Sequence, residues 1–257
     1  MKILGLSFVH NAEADVQGAL DSMAVDCDEV CVVDDRSTDG TGEILRQHDA
    51  VSNVFTIDPT ISPNLWHFSE SRLLALLYRM ADLSQPDWIV MISGDERLIA
   101  AGGIRETLAI ADSETAGFQT HLISTWADPD YPFMVPIMGQ ARSLVQRIWR
   151  YSPGLVPGTK RLHNRYSPVN ISDFGRAEFL SDISIEHTGW SSLAERIDRV
   201  DSYSALDPGN ELNEGVPYDI GLLFGYERDR VSDLVQEYHR RVERIRGYRD
   251  DDLQLPA

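Results

Sequence analysis

Lysine is nearly absent from this sequence of 257 residues. Lys2 and Lys160 are the only lysines, arginine supplies the other 21 basic side chains, and 41 acidic residues give a net charge of −18 with histidine neutral. A surface with this excess of negative charge repels nucleic-acid phosphates and anionic lipid head groups. The composition therefore argues against a nucleic-acid partner and against binding to a membrane surface.

The sequence also lacks a long apolar segment. None approaches the roughly 20 residues that a membrane-spanning helix needs, so we expect no integral membrane segment. The apolar run of residues 3–9 superficially imitates a secretory signal, but it is minimal in length and contains Ser7. We interpret it as a buried first strand and expect a cytoplasmic protein.

Cysteine is scarce as well, with only Cys27 and Cys31 present. Their spacing in an extended run is too long for an easy disulfide, and the two further ligands that a metal site would need are missing nearby. We expect both side chains to be buried thiols near a strand.

Strand-like apolar segments alternate with helical patterns in the first half of the chain. The strands are predicted at residues 3–9, 30–33, 54–57, 88–92 and 117–124, and later at 145–150; the helices are predicted at residues 14–23, 42–47, 69–81 and 228–249. This alternation predicts an α/β fold with a mostly parallel central sheet flanked by helices. In such sheets, ligands bind beyond the carboxyl ends of the strands.

Polar residues follow three of these predicted strands. They are the pairs His10-Asn11, Asp34-Asp35 and Asp95-Glu96. A carboxylate at a strand end can accept hydrogen bonds from a base N–H group or from ribose hydroxyls. The plainer alternative for Asp34 and Asp35 is a strand, a turn and a helix cap with no ligand.

Six stretches and one histidine resemble, in order, the motifs of glycosyltransferase family 2. They are VHNAE at 9–13, VVDDRSTDGT at 32–41, FSESR at 68–72, WIVMISGDERL at 88–98, and QRIWR at 146–150 followed by His163 and IEHTGW at 185–190. The resemblance covers roughly residues 1–190 and implies the Rossmann-like glycosyltransferase A fold. It also implies a nucleoside-diphosphate sugar donor, with nucleotide contacts from Val9, Asn11, Asp34, Asp35, Arg72 and Gly94.

The resemblance further implies a divalent cation, Mn²⁺ or Mg²⁺. Such a cation stabilises the departing diphosphate, and it prefers carboxylate oxygens completed by phosphates and water. Asp95 lies where the family's metal-binding aspartate would be, and His187 matches a late histidine that returns to the metal or the diphosphate. Ser93 replaces the first aspartate of the family's Asp-x-Asp motif.

The catalytic base stays open at this stage. An inverting transfer needs a carboxylate within hydrogen-bond reach of the acceptor hydroxyl. The candidates are Asp128, Asp130, Asp173, Glu178 and Asp182. Asp182 and Glu178 are favoured because they precede the strand that leads to His187.

The expected organisation is a nucleotide-sugar-binding domain at residues 1–190 and a C-terminal helical extension at residues 191–257. Loops at about 127–182 would shape a site for a glycan, lipid-linked or small-molecule hydroxyl acceptor.

A catalytically reduced nucleotide-sugar binder is the main alternative, because Ser93 weakens the metal motif. A dinucleotide-dependent oxidoreductase is disfavoured because no Gly-x-Gly-x-x-Gly follows the first strand. A phosphatase is disfavoured because Arg36 follows Asp35 directly.

Overall fold

The computed structural model describes residues 1–57, 69–124, 141–189, 193–209 and 211. The strands are β1 Ile3–Val9, β2 Glu29–Asp35, β3 Val51–Ile57, β4 Trp88–Met91, β5 Glu96–Ala100, β6 Thr115–Ser124, β7 Ala141–Arg150 and β8 Arg176–His187. The helices are α1 Val16–Ala24, α2 Thr41–Gln47, α3 Glu70–Ser84, α4 Arg105–Ala109 and α5 Leu193–Leu206, with a short 3-10 helix at Ile171–Asp173.

The strands form one sheet in the order β3-β2-β1-β4-β7-β6-β8-β5. Four of the seven neighbouring pairs are parallel: β1 with β2, β1 with β4, β2 with β3, and β6 with β8. The three antiparallel pairs are β4 with β7, β6 with β7, and β5 with β8. The predicted α/β fold with a mostly parallel sheet is therefore confirmed.

The central strand β1 shows why helices cover both faces of this sheet. Successive side chains of a strand point to opposite faces. Ile3 packs in one buried cluster with Leu20 of α1, whereas Leu4 packs in a second cluster with Leu74 of α3. Burying each such aliphatic side chain contributes about 1.5–3 kcal/mol, so the two clusters hold the sheet between its helices.

The amphipathic pattern of α3 fixes which of its side chains face the sheet. Leu73, Leu74, Leu77 and Tyr78 are buried at helical spacing. The same face carries Glu70, which lies three and four residues before the first two leucines and is buried with them. The helix therefore begins with a carboxylate directed inward.

Two strands were not predicted in their observed form. The antiparallel pair of β5 and β8 aligns Glu96 with His187. Strand β8 extends from Arg176, so it occupies part of the region that was expected to be acceptor loop. The rest of that region includes residues 125–140, which lie outside the described residues. The predicted helix at 228–249 also lies outside them, and the division into domains at residue 190 stays a prediction.

Both cysteines are free thiols, with Cys31 buried and Cys27 half-buried. Within the described ranges, no helix is both long and apolar enough to cross a membrane. The cytoplasmic location expected from the sequence stays a prediction.

Candidate functional site

A cavity of about 370 Å³ lies at the carboxyl edge of β1 and β4. The last residue of β1, Val9, and the following Asn11 line it, and the segment after β4 contributes Gly94 and Asp95. The cavity falls within the size range of small-molecule sites, about 300–1,000 Å³. Four of the sequence-predicted site residues therefore share one concave surface, and His187 from the end of β8 is the fifth.

Hydrogen bonds fasten the loop after β1 to the loop after β2. Asn11 adopts φ of 46°, a left-handed conformation that asparagine tolerates better than most residues. Its side-chain oxygen accepts a hydrogen bond from the Thr38 amide at 2.8 Å, and its own amide donates to Ser37 Oγ at 3.0 Å. The Asn11 side chain thus holds one rim of the cavity in place.

Asp34 and Asp35 are the last two residues of β2; both are buried, and neither lines the cavity. Asp34 Oδ1 accepts a hydrogen bond from the Ser37 amide at 3.0 Å. Asp35 receives two hydrogen bonds from the Arg36 guanidinium, at 2.8 and 2.9 Å. In this structure the two carboxylates shape the turn, and their contact with a nucleotide stays a prediction.

Asp95 is the centre of the charge arrangement in the cavity. Its Oδ2 atom lies 3.2 Å from His187 Nε2 and also accepts a hydrogen bond from Arg199 of α5. Burial alone would raise the pKa of Asp95, but the positive charge of Arg199 and the His187 ring hold that pKa well below its usual range. Asp95 is therefore an ionised carboxylate that faces positive charge.

Gly189 makes this close approach possible. A Cβ atom at this position would collide with both Asp95 Oδ2 and the Arg199 guanidinium. Gly94 plays a similar part on the opposite side, because its added Cβ would lie 2.7 Å from Val9 Cγ1. Gly94 therefore lets the segment after β4 approach the end of β1, and Gly189 lets the segment after β8 approach Asp95.

Ser93 belongs to a buried polar network that forms the cavity floor. Its hydroxyl lies 2.6 Å from the Tyr166 hydroxyl, and its amide donates to Glu96 Oε2 at 2.9 Å. Arg147 donates to Glu96 Oε1 at 2.5 Å and stacks 3.6 Å from the Tyr166 ring centre. Arg147 Nε is buried and has no hydrogen-bond partner within the described ranges.

Glu70, rather than Arg72, faces the cavity from the start of α3. Its Oε2 atom accepts a hydrogen bond from the Asn164 amide at 2.7 Å, and burial raises the pKa of this carboxyl. Arg72 is exposed and does not line the cavity. Sequence reasoning missed Glu70, although the leucine pattern of α3 indicates that residue 70 shares the buried face.

The favoured bases Glu178 and Asp182 lie on β8 outside the cavity lining. Glu178 accepts hydrogen bonds from Thr115 Oγ1 at 2.6 Å and from Arg176 Nε at 3.1 Å. Asp182 is exposed beside Ser181. The structure does not bring either carboxylate to Asp95 and His187.

The other sequence candidates for the base are also placed away from the cavity or are not described. Asp173 is exposed in the 3-10 helix, and residues 128 and 130 lie outside the described part of the chain. The carboxylates that do line the cavity are Asp15, Glu70, Asp95 and Glu96.

Comparison with known proteins gives strong sequence matches to uncharacterised proteins of Mycobacterium bovis and Mycobacterium tuberculosis. No protein-family model matches the chain. An uncharacterised protein of Mycobacterium tuberculosis is 44% identical over 242 residues, covering 94% of this chain. The chain spans about 60% of the length of that relative.

Two solved structures share features of the fold. S. aureus TarS in complex with UDP-GlcNAc has a TM-score of 0.48 at 16% identity, covering 99% of this chain and 77% of that one. Glucosyl-3-phosphoglycerate synthase from M. tuberculosis, in complex with Mn²⁺, UDP and phosphoglyceric acid, has a TM-score of 0.47 at 14% identity, covering 82% and 78%. Because both TM-scores are below 0.5, function is argued from the residues of this chain.

Proposed function

We propose that this chain carries a glycosyltransferase that moves a sugar from a nucleoside-diphosphate sugar to a hydroxyl acceptor with the help of Mn²⁺ or Mg²⁺. The observation that supports this most directly is the meeting of Asp95 Oδ2 and His187 Nε2 at 3.2 Å. They meet in a cavity at the carboxyl edge of parallel strands, where nucleotides bind in α/β folds.

The residues present fit a divalent cation that is held jointly with phosphates. Asp95 already stabilises positive charge, because the Arg199 guanidinium lies on its Oδ2 atom. No group of three or more His, Cys, Asp or Glu side chains in the described ranges could hold a metal ion unaided. One carboxylate and one imidazole, completed by phosphate oxygens and water, are a suitable ligand set for Mn²⁺. For Mg²⁺, which prefers oxygen ligands, the carboxylate would be the main protein ligand.

The chain's own residues would share the work of binding the donor. The bound cation would stabilise the negative charge that develops on the departing diphosphate. Val9, Asn11 and Gly94 line the same cavity, so we assign the nucleotide contacts to these three positions. For Asp34, Asp35 and Arg72, a nucleotide contact rests on the family resemblance alone.

Asp15 and Glu70 are the bases that this geometry supports best. Both line the cavity, and neither forms a salt bridge with an arginine in the described ranges, whereas Glu96 is paired with Arg147. Burial raises the pKa of Glu70, which makes this carboxyl a better proton acceptor when ionised. Either residue would take the proton of the acceptor hydroxyl as the new glycosidic bond forms.

A catalytically reduced nucleotide-sugar binder is a second candidate, and one observation favours it. Ser93 stands in the place of the family's first motif aspartate, and its hydroxyl forms a hydrogen bond with the Tyr166 hydroxyl. A binder would take up the nucleoside-diphosphate sugar with a cation but would not release free nucleotide. A transferase would release nucleotide by slow hydrolysis of the donor even without an acceptor, so product analysis by chromatography separates the two.

A double-mutant cycle tests whether Asp95 and His187 act on one cation. Nucleoside diphosphate affinity is measured by calorimetry with Mn²⁺ for Asp95→Asn, His187→Ala and the double variant. If both residues hold the same cation, each single variant loses most of the metal-dependent affinity and the double is little worse, because residues at one centre are coupled. If the losses in binding free energy of the two single variants add up to the loss of the double variant, His187 does not bind the same cation as Asp95.

A further inference from the structure

One long stretch of this acidic chain contains basic residues and no acidic residue. The 42 residues from 131 to 172 contain six Lys and Arg side chains and no Asp or Glu, although the whole chain carries −18. The positive stretch runs through β7 and the loop that follows it, next to the cavity described above. This segregation of charge creates a local site for an anion in a protein that otherwise repels anions.

Two of these cations are exposed and face a second cavity. Lys160 and Arg165 line a space of about 410 Å³ and have no acidic partner within the described ranges. Other cations of the stretch are engaged: Arg147 pairs with Glu96, and Arg150 donates to two backbone carbonyls. No acidic side chain is among the residues that line this second cavity.

The loop that carries the two cations is held in a defined shape. The Lys160 amide donates to Asn164 Oδ1 at 3.0 Å, and the Asn164 amide donates to buried Glu70 at 2.7 Å. The Glu70 amide in turn donates to the Arg161 carbonyl at 2.9 Å. The loop is therefore fastened to the start of α3, which keeps the backbone of Lys160 in a fixed position beside the first cavity.

The two cavities are neighbours, since His163 and Asn164 line both. A molecule bound in the second cavity could therefore extend a hydroxyl towards Asp95 in the first. Lys160 and Arg165 would bind its far end through charge-assisted hydrogen bonds, which are the strong ones for phosphate and carboxylate groups.

We infer that the second cavity binds an anionic group, a phosphate or a carboxylate, on the acceptor. The inference rests on the proposed transfer reaction and specifies its acceptor as an anionic hydroxyl compound. The donor diphosphate occupies the first cavity and leaves Lys160 and Arg165 for the acceptor.

The scarcity of lysine gives a direct test of this site. Lys160 and Lys2 are the only lysines, and Lys2 lies 2.9 Å from Glu29 on another part of the protein. Acylation rates of the two amines are followed by mass spectrometry in inorganic phosphate, acetate, glycerol and sodium chloride at matched ionic strength. At ten times its dissociation constant, a bound anion should slow the acylation of Lys160 about tenfold. The rate at Lys2 should not change.

The arms of the experiment separate the possible outcomes. Protection of Lys160 by phosphate alone, or also by acetate, identifies the anionic group. Arg165→Gln should weaken the affinity for that anion about tenfold by removing one charge-assisted contact, so protection at the same anion concentration should be smaller. Arg79→Gln is the matched control, because Arg79 is an exposed arginine 4.0 Å from Asp82. This variant should leave the protection of Lys160 unchanged. Equal acylation of Lys160 in every solution overturns the inference.

A nucleotide arm distinguishes this inference from the proposed function. Nucleoside diphosphate with Mn²⁺ should not protect Lys160 and should not weaken protection by phosphate. If the nucleotide protects Lys160 and displaces phosphate, the two cations serve the donor and the anionic acceptor is refuted. If phosphate protects Lys160 but no nucleoside diphosphate binds to the protein, the proposed function fails and the anion site stands.

Discussion

Removing Arg199 should strengthen the binding of Mn²⁺ in the absence of nucleotide. Arg199 donates to Asp95 Oδ2, the same oxygen that lies 3.2 Å from His187 Nε2. A cation that binds through this oxygen must first displace the guanidinium. In Arg199→Gln the competing charge is gone, so the carboxylate is available to Mn²⁺ from the start.

The structure sets the size of this effect. A hydrogen bond to a charged group contributes about 1.5–3 kcal/mol, and 1.4 kcal/mol corresponds to tenfold in affinity. The side chains of Asp95 and Arg199 are 15% and 31% exposed, so solvent screens the pair and the lower end of the range applies. We therefore expect Mn²⁺ alone to bind about tenfold more tightly to Arg199→Gln.

The same substitution should lower stability without metal, because it leaves Asp95 paired only with His187. Mn²⁺ affinity is measured by calorimetry or by electron paramagnetic resonance of the free ion, and melting curves are recorded with and without Mn²⁺. The thermal shift caused by Mn²⁺ should be larger in Arg199→Gln than in the wild type, while Arg79→Gln behaves as the wild type. An unchanged or weaker Mn²⁺ affinity in Arg199→Gln would refute the competition for Asp95.

Three further substitutions test other parts of the account. Because burial raises the pKa of Glu70, its contribution to stability is fully present below its ordinary pKa of 4.5 and is lost as the pH rises through the higher folded-state value. The unfolding free energy of wild type minus that of Glu70→Gln should therefore fall from pH 4.5 towards pH 7 in denaturant titrations. A difference that does not change with pH would contradict the burial of this charge. Asp35→Ala should destabilise the fold by roughly 1.5–3 kcal/mol in urea titration, because it removes the two charge-assisted hydrogen bonds that Asp35 accepts from the buried Arg36 guanidinium, and an unchanged midpoint would return Asp35 to a purely ligand-binding role. Gly94→Ala should weaken nucleotide binding in calorimetry, since the new methyl group must displace Val9 from the cavity wall. Undiminished affinity would exclude Gly94 and Val9 from the nucleotide site.

The parallel half of the sheet was predictable because its signals are local. Strand β1 was predicted at residues 3–9 and is observed at Ile3–Val9, and α2 was predicted at 42–47 and begins one residue earlier. Buried strands of a parallel sheet are continuous apolar runs, which periodicity detects directly. Strand β3 was predicted too short, because its exposed edge position allows Ser52 and Asn53 within it.

The candidate site was predictable only in part, for a physical reason. Asp95 and Gly94 follow an apolar strand, so the local pattern indicated their position at the sheet edge. Arg199 contacts Asp95 across 104 residues of sequence, and no local pattern encodes that contact. Glu70 and Arg72 lie on different faces of α3, since positions two residues apart on a helix point in different directions.

The burial of Asp34 and Asp35 was also beyond local reasoning. Both follow an apolar strand at the edge where ligands bind, and this placement favoured exposure to the nucleotide. In the structure, Asp34 accepts a hydrogen bond from the Ser37 amide, and Asp35 accepts one from the Arg36 guanidinium. The backbone of Arg36 has a φ of 62°. The residue types of such a turn do not distinguish it from an open ligand site.

The central claim is that a nucleoside diphosphate and a divalent cation bind together at Asp95 and His187. The most direct measurement is calorimetric titration of wild-type protein with a panel of nucleoside diphosphates, each in Mn²⁺ and in chelator. The account predicts that at least one nucleotide binds in Mn²⁺ and that its affinity falls markedly in chelator, because one carboxylate and one imidazole need the cation to hold a diphosphate. Equal affinity in Mn²⁺ and in chelator, or no binding of any nucleotide, would contradict it.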